Sequence, residues 1–233
     1  MFKVIISVCS TVDTRLIKAD LSFLRRYYMK HRYLLGFFAL CAALSFIACS
    51  STLQVAQVNP ATGYLPTGSV VKPEEIKVKE TLDVTKDTRM LYVKSPEDQK
   101  TMNDFIMNSI NNLKCFGLVK DKTGIQGLII EKGIIGKYSG KDVNDLLILN
   151  ELSNDIGNFL VLDWALTFLG GFDYKFEMKV LNPADMKVMF HVDREVTNWA
   201  GLDEPLFYPV FNALKNWVEV NKRKAALAEA EPK

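Results

Sequence analysis

Apolar and polar residues alternate one by one along residues 172–182 and 186–196. The apolar members are all even-numbered: Phe172, Tyr174, Phe176, Met178, Val180, Val188, Phe190, Val192 and Val196. A period of two predicts an antiparallel hairpin with one buried and one solvated face, closed by a loop at 183–185. Same-face pairing favours a register in which the numbers of paired residues add up to about 368. That register places three pairs side by side: Lys175 with Asp193, Glu177 with His191, and Tyr174 with Arg194.

The hairpin follows residues 159–169, which are almost continuously apolar and predict a central strand covered on both faces. Shorter strands are predicted at 90–93 and 116–120, and a short helix near 125–129. In three other runs apolar residues recur at three- and four-residue steps, which predicts amphipathic helices. These runs contain Met102, Phe105, Ile106, Ile110, Leu113 and Phe116; Val143, Leu146, Leu147 and Leu149; and Phe207, Val210, Phe211, Leu214, Trp217 and Val218.

The predicted order of elements is β-α-β-α-α-β-β-β-α, which defines an α+β fold over residues 87–224. We expect a single antiparallel or mixed sheet of about five strands with helices packed on it. Residues 225–233 lie beyond the last apolar position and are predicted to form a disordered or frayed tail.

The amino end has the layout of a secretory signal. Met29-Lys30-His31-Arg32 is positively charged, residues 34–47 are apolar, and Ala48-Cys49-Ser50 follows. The apolar run is shorter than the ~20 residues that a helix needs to cross a bilayer. Because a signal peptide carries its positive charge at its start, we expect translation to begin at Met29 and residues 1–28 to be an extension outside the native protein. A functional cytosolic extension is the alternative.

The segment Phe46-Ile47-Ala48-Cys49 resembles the bacterial lipobox, although the lipobox most often has leucine where Phe46 stands. The resemblance implies that residues 29–48 are removed and that Cys49 heads the mature lipoprotein, carrying a diglyceride and a palmitate. Ser50, rather than an aspartate, follows the cysteine. By the same resemblance the chain is sorted to the outer membrane and is anchored at its periplasmic face. The alternatives are a signal peptide cleaved elsewhere and a buried helix that ends at Cys49 by chance.

Residues 49–86 contain Pro60, Pro66 and Pro73 and have no sustained period, which predicts a tether between the lipid and the domain. The order of lipobox, tether and α+β domain resembles envelope lipoproteins of the class that includes the amino-terminal domain of TolB and the curli-secretion lipoproteins. The stretch 198–209 is also similar to the end of uncharacterised bacterial lipoprotein domains. These resemblances imply a binding, secretion or assembly role.

Charge and composition argue against several functions. Without the seven basic and two acidic residues of 1–48, the chain keeps 22 basic and 25 acidic residues, so no nucleic-acid partner is predicted. His191 is the one histidine of the predicted mature chain, and the sequence has no cysteine pair with zinc spacing and no glycine-rich phosphate loop. Neither a metal nor a cofactor is therefore predicted. Cys115, beside an apolar helix face, is predicted to be a buried, inert thiol.

The predicted solvated face of the hairpin carries four acids: Asp173, Glu177, Asp193 and Glu195. Glycoside hydrolysis needs two carboxylates ~5–9 Å apart in a cleft. The strict alternation of these acids with apolar residues instead favours a solvated ladder with Lys175 and Lys179. His191 is interpreted as one more polar position of this face.

The best candidate for binding is the loop before the last helix, which places aromatic and acidic residues together: Trp199, Asp203, Glu204 and Tyr208. The sequence therefore predicts a non-catalytic, lipid-anchored periplasmic module for binding or assembly in the cell envelope. Its expected partners are the membrane, through the lipid, and another envelope protein. A cell-envelope hydrolase with paired carboxylates is the alternative. An accessory subunit for lipid transport would need an exposed apolar groove.

Overall fold

The structure, a computed structural model, describes residues 53–94, 96, 99–197 and 201–230. The predicted signal peptide, the start at Met29 and the lipidation site Cys49 lie outside the described residues. The strands are β1 (Ile76–Lys79), β2 (Met90–Val93), β3 (Leu118–Lys120), β4 (Leu160–Gly170), β5 (Asp173–Asn182) and β6 (Lys187–Thr197). The α-helices are α1 (Val84–Asp87), α2 (Lys100–Leu113), α3 (Lys122–Glu131), α4 (Ile135–Tyr138), α5 (Leu146–Ile156) and α6 (Tyr208–Ala230). A 3-10 turn at Pro73–Glu75 precedes β1, and a π-helix at Asp203–Phe207 precedes α6.

The described strands form one mixed sheet in the order β1-β6-β5-β4-β2-β3. β2 runs parallel to β3 and β4, and the other neighbours are antiparallel. The predicted α+β class with one sheet is confirmed. The sheet has a sixth strand because β1, which lies in the segment predicted to be a tether, pairs with β6.

Helices cover the two faces of the sheet unequally. On one face α2 and α6 pack against β4, β5 and β6, and the rings of Phe105, Phe176 and Phe207 meet with centroids 4.9 to 5.3 Å apart. On the other face α3, α4 and α5 cover only β2 and the start of β4, where Tyr92 and Val161 are buried. The remainder of this second face, on β5, β6 and the outer half of β4, is called the open face below.

Unequal coverage divides β4 into two parts. Residues 160–162 are fully buried, as predicted for a strand covered on both faces. The same prediction is wrong for the outer end of β4, where Phe168 is 60% and Leu169 50% exposed. Phe168 pairs with Tyr174 on the face that α2 and α6 cover, and Leu169 lies at an irregularity of the pairing before Gly170. Both residues lie beyond Trp164, the last residue of β4 in the core cluster.

The register of the β5–β6 hairpin differs from the prediction by two residues. Tyr174 pairs with Val196 and not with Arg194, so paired numbers add up to 370 along most of the hairpin. Met186, with φ 57°, makes the loop one residue longer than predicted, and a bulge at Met189 adds a second residue. Because the second added residue restores an even sum, residues 190–196 keep their predicted faces. Val188, between the loop and the bulge, does not: it pairs with Leu181, and Met189 takes its predicted place in the core beside Phe190.

Residues 53–72, which we call the arm, pack along α6 and do not form the predicted tether. Leu65 is 2% exposed, and the side chain of Asn212 holds its backbone: Asn212 Nδ2 donates to Leu65 O, and Leu65 N donates to Asn212 Oδ1, each at 2.9 Å. Tyr64 Oη donates to Glu219 Oε2 at 3.1 Å. These contacts join residues about 150 positions apart and leave no period in the sequence. The opposite end also differs, because α6 is helical through Ala230 where a tail was predicted from residue 225.

Candidate functional site

The loop predicted to bind a partner holds the chain's own arm. Gln54 N donates to Asp203 Oδ2 at 3.1 Å, and Tyr208 Oη donates to Gln54 O. Thr67 Oγ1 donates to the backbone oxygen of Glu204 at 2.7 Å. Burial raises the pKa of both Asp203 and Tyr208. The fourth predicted residue, at position 199, lies outside the described residues, so the described part of this loop is an internal docking site for the arm.

A buried arginine closes the arm against the sheet. The side chain of Arg194 is 8% exposed and points from β6 into the helix-covered core face. Its Nη1 lies 2.8 Å from Glu75 Oε2 and donates to Val70 O at 3.0 Å, while Nε donates to Pro205 O at 2.8 Å. One guanidinium therefore joins the arm, β6 and the π-helix. Arg194 occupies an even-numbered position between apolar residues, so its place on the buried face could have been predicted from the sequence, although its partners could not.

The open face carries a ladder of paired charges. Lys175 Nζ donates to Asp193 Oδ2 at 2.7 Å, and Lys179 Nζ lies 2.7 Å from Glu177 Oε1. His191 Nε2 lies 2.9 Å from the same Glu177 oxygen, without the angles of a hydrogen bond. The pairs Lys175–Asp193 and Glu177–His191, predicted to face each other directly, form diagonally because of the shifted register.

The shifted register places Glu177 directly opposite Asp193, which is the geometry that a carboxylate pair would need. A general acid requires a carboxyl whose pKa is raised, so that it holds a proton at neutral pH. The hydrogen bond from Lys179 lowers the pKa of Glu177 and outweighs the opposing effect of burial. Glu177 is therefore an ionised partner of lysine, which suits a surface ladder better than acid catalysis.

The tip of the β4–β5 hairpin exposes three large apolar side chains within five residues. Phe168, Leu169 and Phe172 are 60%, 50% and 41% exposed. The turn between them is Gly170-Gly171, with φ of 111° and 60°, values that favour glycine. This tip was not predicted from the sequence, because the apolar run at 159–169 predicted a strand buried along its whole length.

The remaining candidates are a thiol and a cavity. Cys115 is 2% exposed, and burial raises the pKa of its thiol to about 11, as expected for an inert cysteine. An open cavity of about 590 Å³ lies between the arm and α6 and is lined by Leu65, Val70, Asn212 and Asn216 among others. Its lining mixes asparagine with apolar groups and differs from the continuous apolar groove that a lipid-transport subunit would need.

In the described ranges, no group of three or more histidine, cysteine, aspartate or glutamate side chains is placed to hold a metal ion. Within the same part of the chain, no helix is both long and apolar enough to cross a membrane.

The sequence matches no protein-family model and no curated protein. Among solved structures, the chain is similar to the LpoB C-terminal domain from Salmonella enterica, with 15% identity and a TM-score of 0.34 over 50% of this chain and 87% of that one. It is also similar to PelC from Paraburkholderia phytofirmans, solved as a dodecamer, with 9% identity and a TM-score of 0.30 over 63% of this chain and 95% of that one.

Proposed function

We propose that this chain is a non-catalytic, lipid-anchored binding module of the cell envelope, held at the periplasmic face of the outer membrane. Its open face, on β4, β5 and β6, binds another envelope protein. The observation that carries the proposal is the ladder of paired charges on that face. Lys175 forms an ion pair with Asp193, and Glu177 lies directly opposite Asp193 on the neighbouring strand.

A face of this kind suits protein recognition. Complementary charges orient a partner and exclude wrong partners more than they add affinity. The ladder also has both signs of charge, so it favours a partner with its own mixed pattern over a polyanion. The resemblance of residues 46–49 to the lipobox supports the anchor, and the first arm contact with the domain, at Gln54, comes five positions after Cys49 in the sequence.

Fatty-acid labelling tests the anchor. We expect cells that express the wild-type chain to incorporate labelled palmitate into the protein, and the Cys49→Ala variant to incorporate none. The matched control is Cys115→Ala, which removes a buried thiol and should leave the label unchanged. Label that persists in Cys49→Ala would falsify the proposed lipidation.

Position-specific photo-crosslinking in intact cells tests the binding face. We expect a crosslinker at Thr167, exposed on the open face, to capture one discrete envelope protein. The same crosslinker at Glu131, exposed at the end of α3 on the helix-covered part of the sheet, should capture none. Equal capture from both positions, or capture from Glu131 alone, would contradict the assignment of the partner to this face.

The hydrolase alternative deserves its own test because Glu177 and Asp193 face each other. If they were catalytic, Glu177→Gln and Asp193→Asn would each abolish function, since a carboxylate pair requires both members. Under the binding proposal each neutral variant keeps the shape of the face, and we expect any envelope phenotype to remain largely intact. Complete loss of function in both variants, with unchanged thermal stability, would favour the hydrolase.

A further inference from the structure

We infer that the tip of the β4–β5 hairpin, formed by Phe168, Leu169 and Phe172, docks on the surface of the phospholipid bilayer beside the lipid anchor. This inference rests on the proposed lipidation of Cys49. It adds a second, protein-based membrane contact and gives the domain a defined orientation, with the hairpin tip toward the lipid.

The tip combines large apolar side chains with high exposure. Large apolar residues that are exposed one at a time are normal on soluble domains, but a cluster marks a surface that binds something. Three such residues lie within positions 168–172, and the rings of Phe168 and Tyr174 lie 5.3 Å apart on the same hairpin. Aromatic rings at the end of a rigid hairpin are suited to the boundary between headgroups and acyl chains.

The arm begins near the elements that follow the end of β6. Gln54 is bound by Asp203 and Tyr208, which follow the last residue of β6 by a short connection. That last residue, Thr197, pairs with Asp173, the first residue of β5 after the hairpin turn. The start of the arm and the hairpin tip therefore lie at the same end of the sheet.

The first residues of the arm run along α6. From Gln54 the arm runs away from the hairpin end, because Tyr64 already contacts Glu219 on α6. Glu219 lies eleven residues beyond Tyr208 in the same helix, a distance of ~16 Å along its axis. Followed backward, the chain therefore leads toward the end of the domain that carries the tip.

Few residues separate Cys49 from the start of the arm. The 38 residues predicted as a tether would lift the domain far from the bilayer, but the arm is packed on the domain from residue 53 onward. Only residues 50–52 lie between Cys49 and Leu53, and the span from one to the other is at most ~14 Å when fully extended. A lipid on Cys49 therefore holds the hairpin end of the domain close to the membrane surface.

The charges around the tip define the lipid that it fits. Asp173 and Glu195 are exposed near the tip, and an acidic rim disfavours anionic headgroups. We therefore expect the tip to enter zwitterionic phosphatidylethanolamine or phosphatidylcholine surfaces and to gain nothing from added phosphatidylglycerol. The contact is weak alone and effective when the anchor supplies the first attachment.

A fluorescent probe tests this contact in the acylated protein. The chain is purified with its lipid, in a Cys115→Ala background, and a cysteine at Phe172 is labelled with the environment-sensitive dye NBD. In phosphatidylcholine vesicles we expect the emission to move to shorter wavelength and doxyl lipids to quench it by at least about twofold. The matched control is the dye at Leu227, which is 69% exposed near the far end of α6 and should remain in water.

The outcomes separate this inference from the proposed anchor. A protein that carries labelled palmitate but shows the same emission at positions 172 and 227 overturns the inference and leaves the anchor intact. A protein without palmitate overturns the anchor, and the inference that rests on it falls as well. An emission shift that appears without vesicles and grows with protein concentration shows a second copy on the tip and also overturns the inference. The variant Phe168→Ser/Phe172→Ser should fold normally and lose the shift of a dye placed at Leu169.

Discussion

Replacing Trp217 by alanine is expected to lower the free energy of unfolding by about 3–5 kcal/mol. Trp217 is fully buried, its ring stacks on Phe190 with centroids 4.9 Å apart, and its Nε1 donates to Glu80 O at 2.7 Å. The substitution empties a large volume between α6 and the sheet and leaves a carbonyl without its donor. For a domain of this size the thermal midpoint should fall by about 6–20 °C, as measured by circular dichroism or calorimetry.

Removal of residues 225–233 is the matched control, because it alters the same helix without touching the core. Residues 226–230 are exposed, and Leu227 is 69% exposed. We expect the truncation to change the free energy of unfolding by less than about 0.5 kcal/mol. A Trp217→Ala midpoint within a degree or so of the wild type would mean that this helix face is an interface rather than core.

Replacing Arg194 by methionine is expected to lower the free energy of unfolding by about 3–5 kcal/mol, because it leaves the mostly buried carboxylate of Glu75, 15% exposed, without its cation. The same change removes the donors that satisfy Val70 O and Pro205 O. Because these groups belong to the arm and the π-helix, we expect the arm to open more easily, in addition to a lower free energy of unfolding for the whole domain. We expect urea denaturation to show the lower stability and limited proteolysis to cut the arm faster.

Two variants control the Arg194 experiment. Lys187→Met breaks the exposed pair with Glu80, whose members are 50% and 43% exposed, and should cost no more than about 1 kcal/mol. Glu75→Gln keeps an oxygen that accepts from Arg194 but leaves the arginine charge unpaired. Its free energy of unfolding should fall between those of Arg194→Met and Lys187→Met. If Arg194→Met and Lys187→Met destabilise the chain equally, the guanidinium is not what holds the arm.

The positions of the candidate sites were only partly predictable. The acids and lysines of the open face were predicted as a solvated ladder because a strict period of two assigns each side chain to a face, whatever the register. The register itself was not predictable, since it depends on the left-handed conformation of Met186 and on the bulge at Met189. Neither feature has a sequence signal as clear as a glycine in a tight turn.

The sequence by itself determined the α+β class, the main helices and strands and the solvated face of the hairpin, and it predicts a signal peptide and a lipid at the amino end. These features depend on local sequence: a period of two or 3.6, and the order of charge around an apolar run, can each be recognised within ten to twenty residues. Only the tertiary structure decided that the arm packs on α6, that Arg194 joins three segments and that the tip of β4 is exposed. Each of these depends on residues far apart in the chain, or on where a neighbouring helix stops, and burial is set by such neighbours rather than by the apolar residue alone.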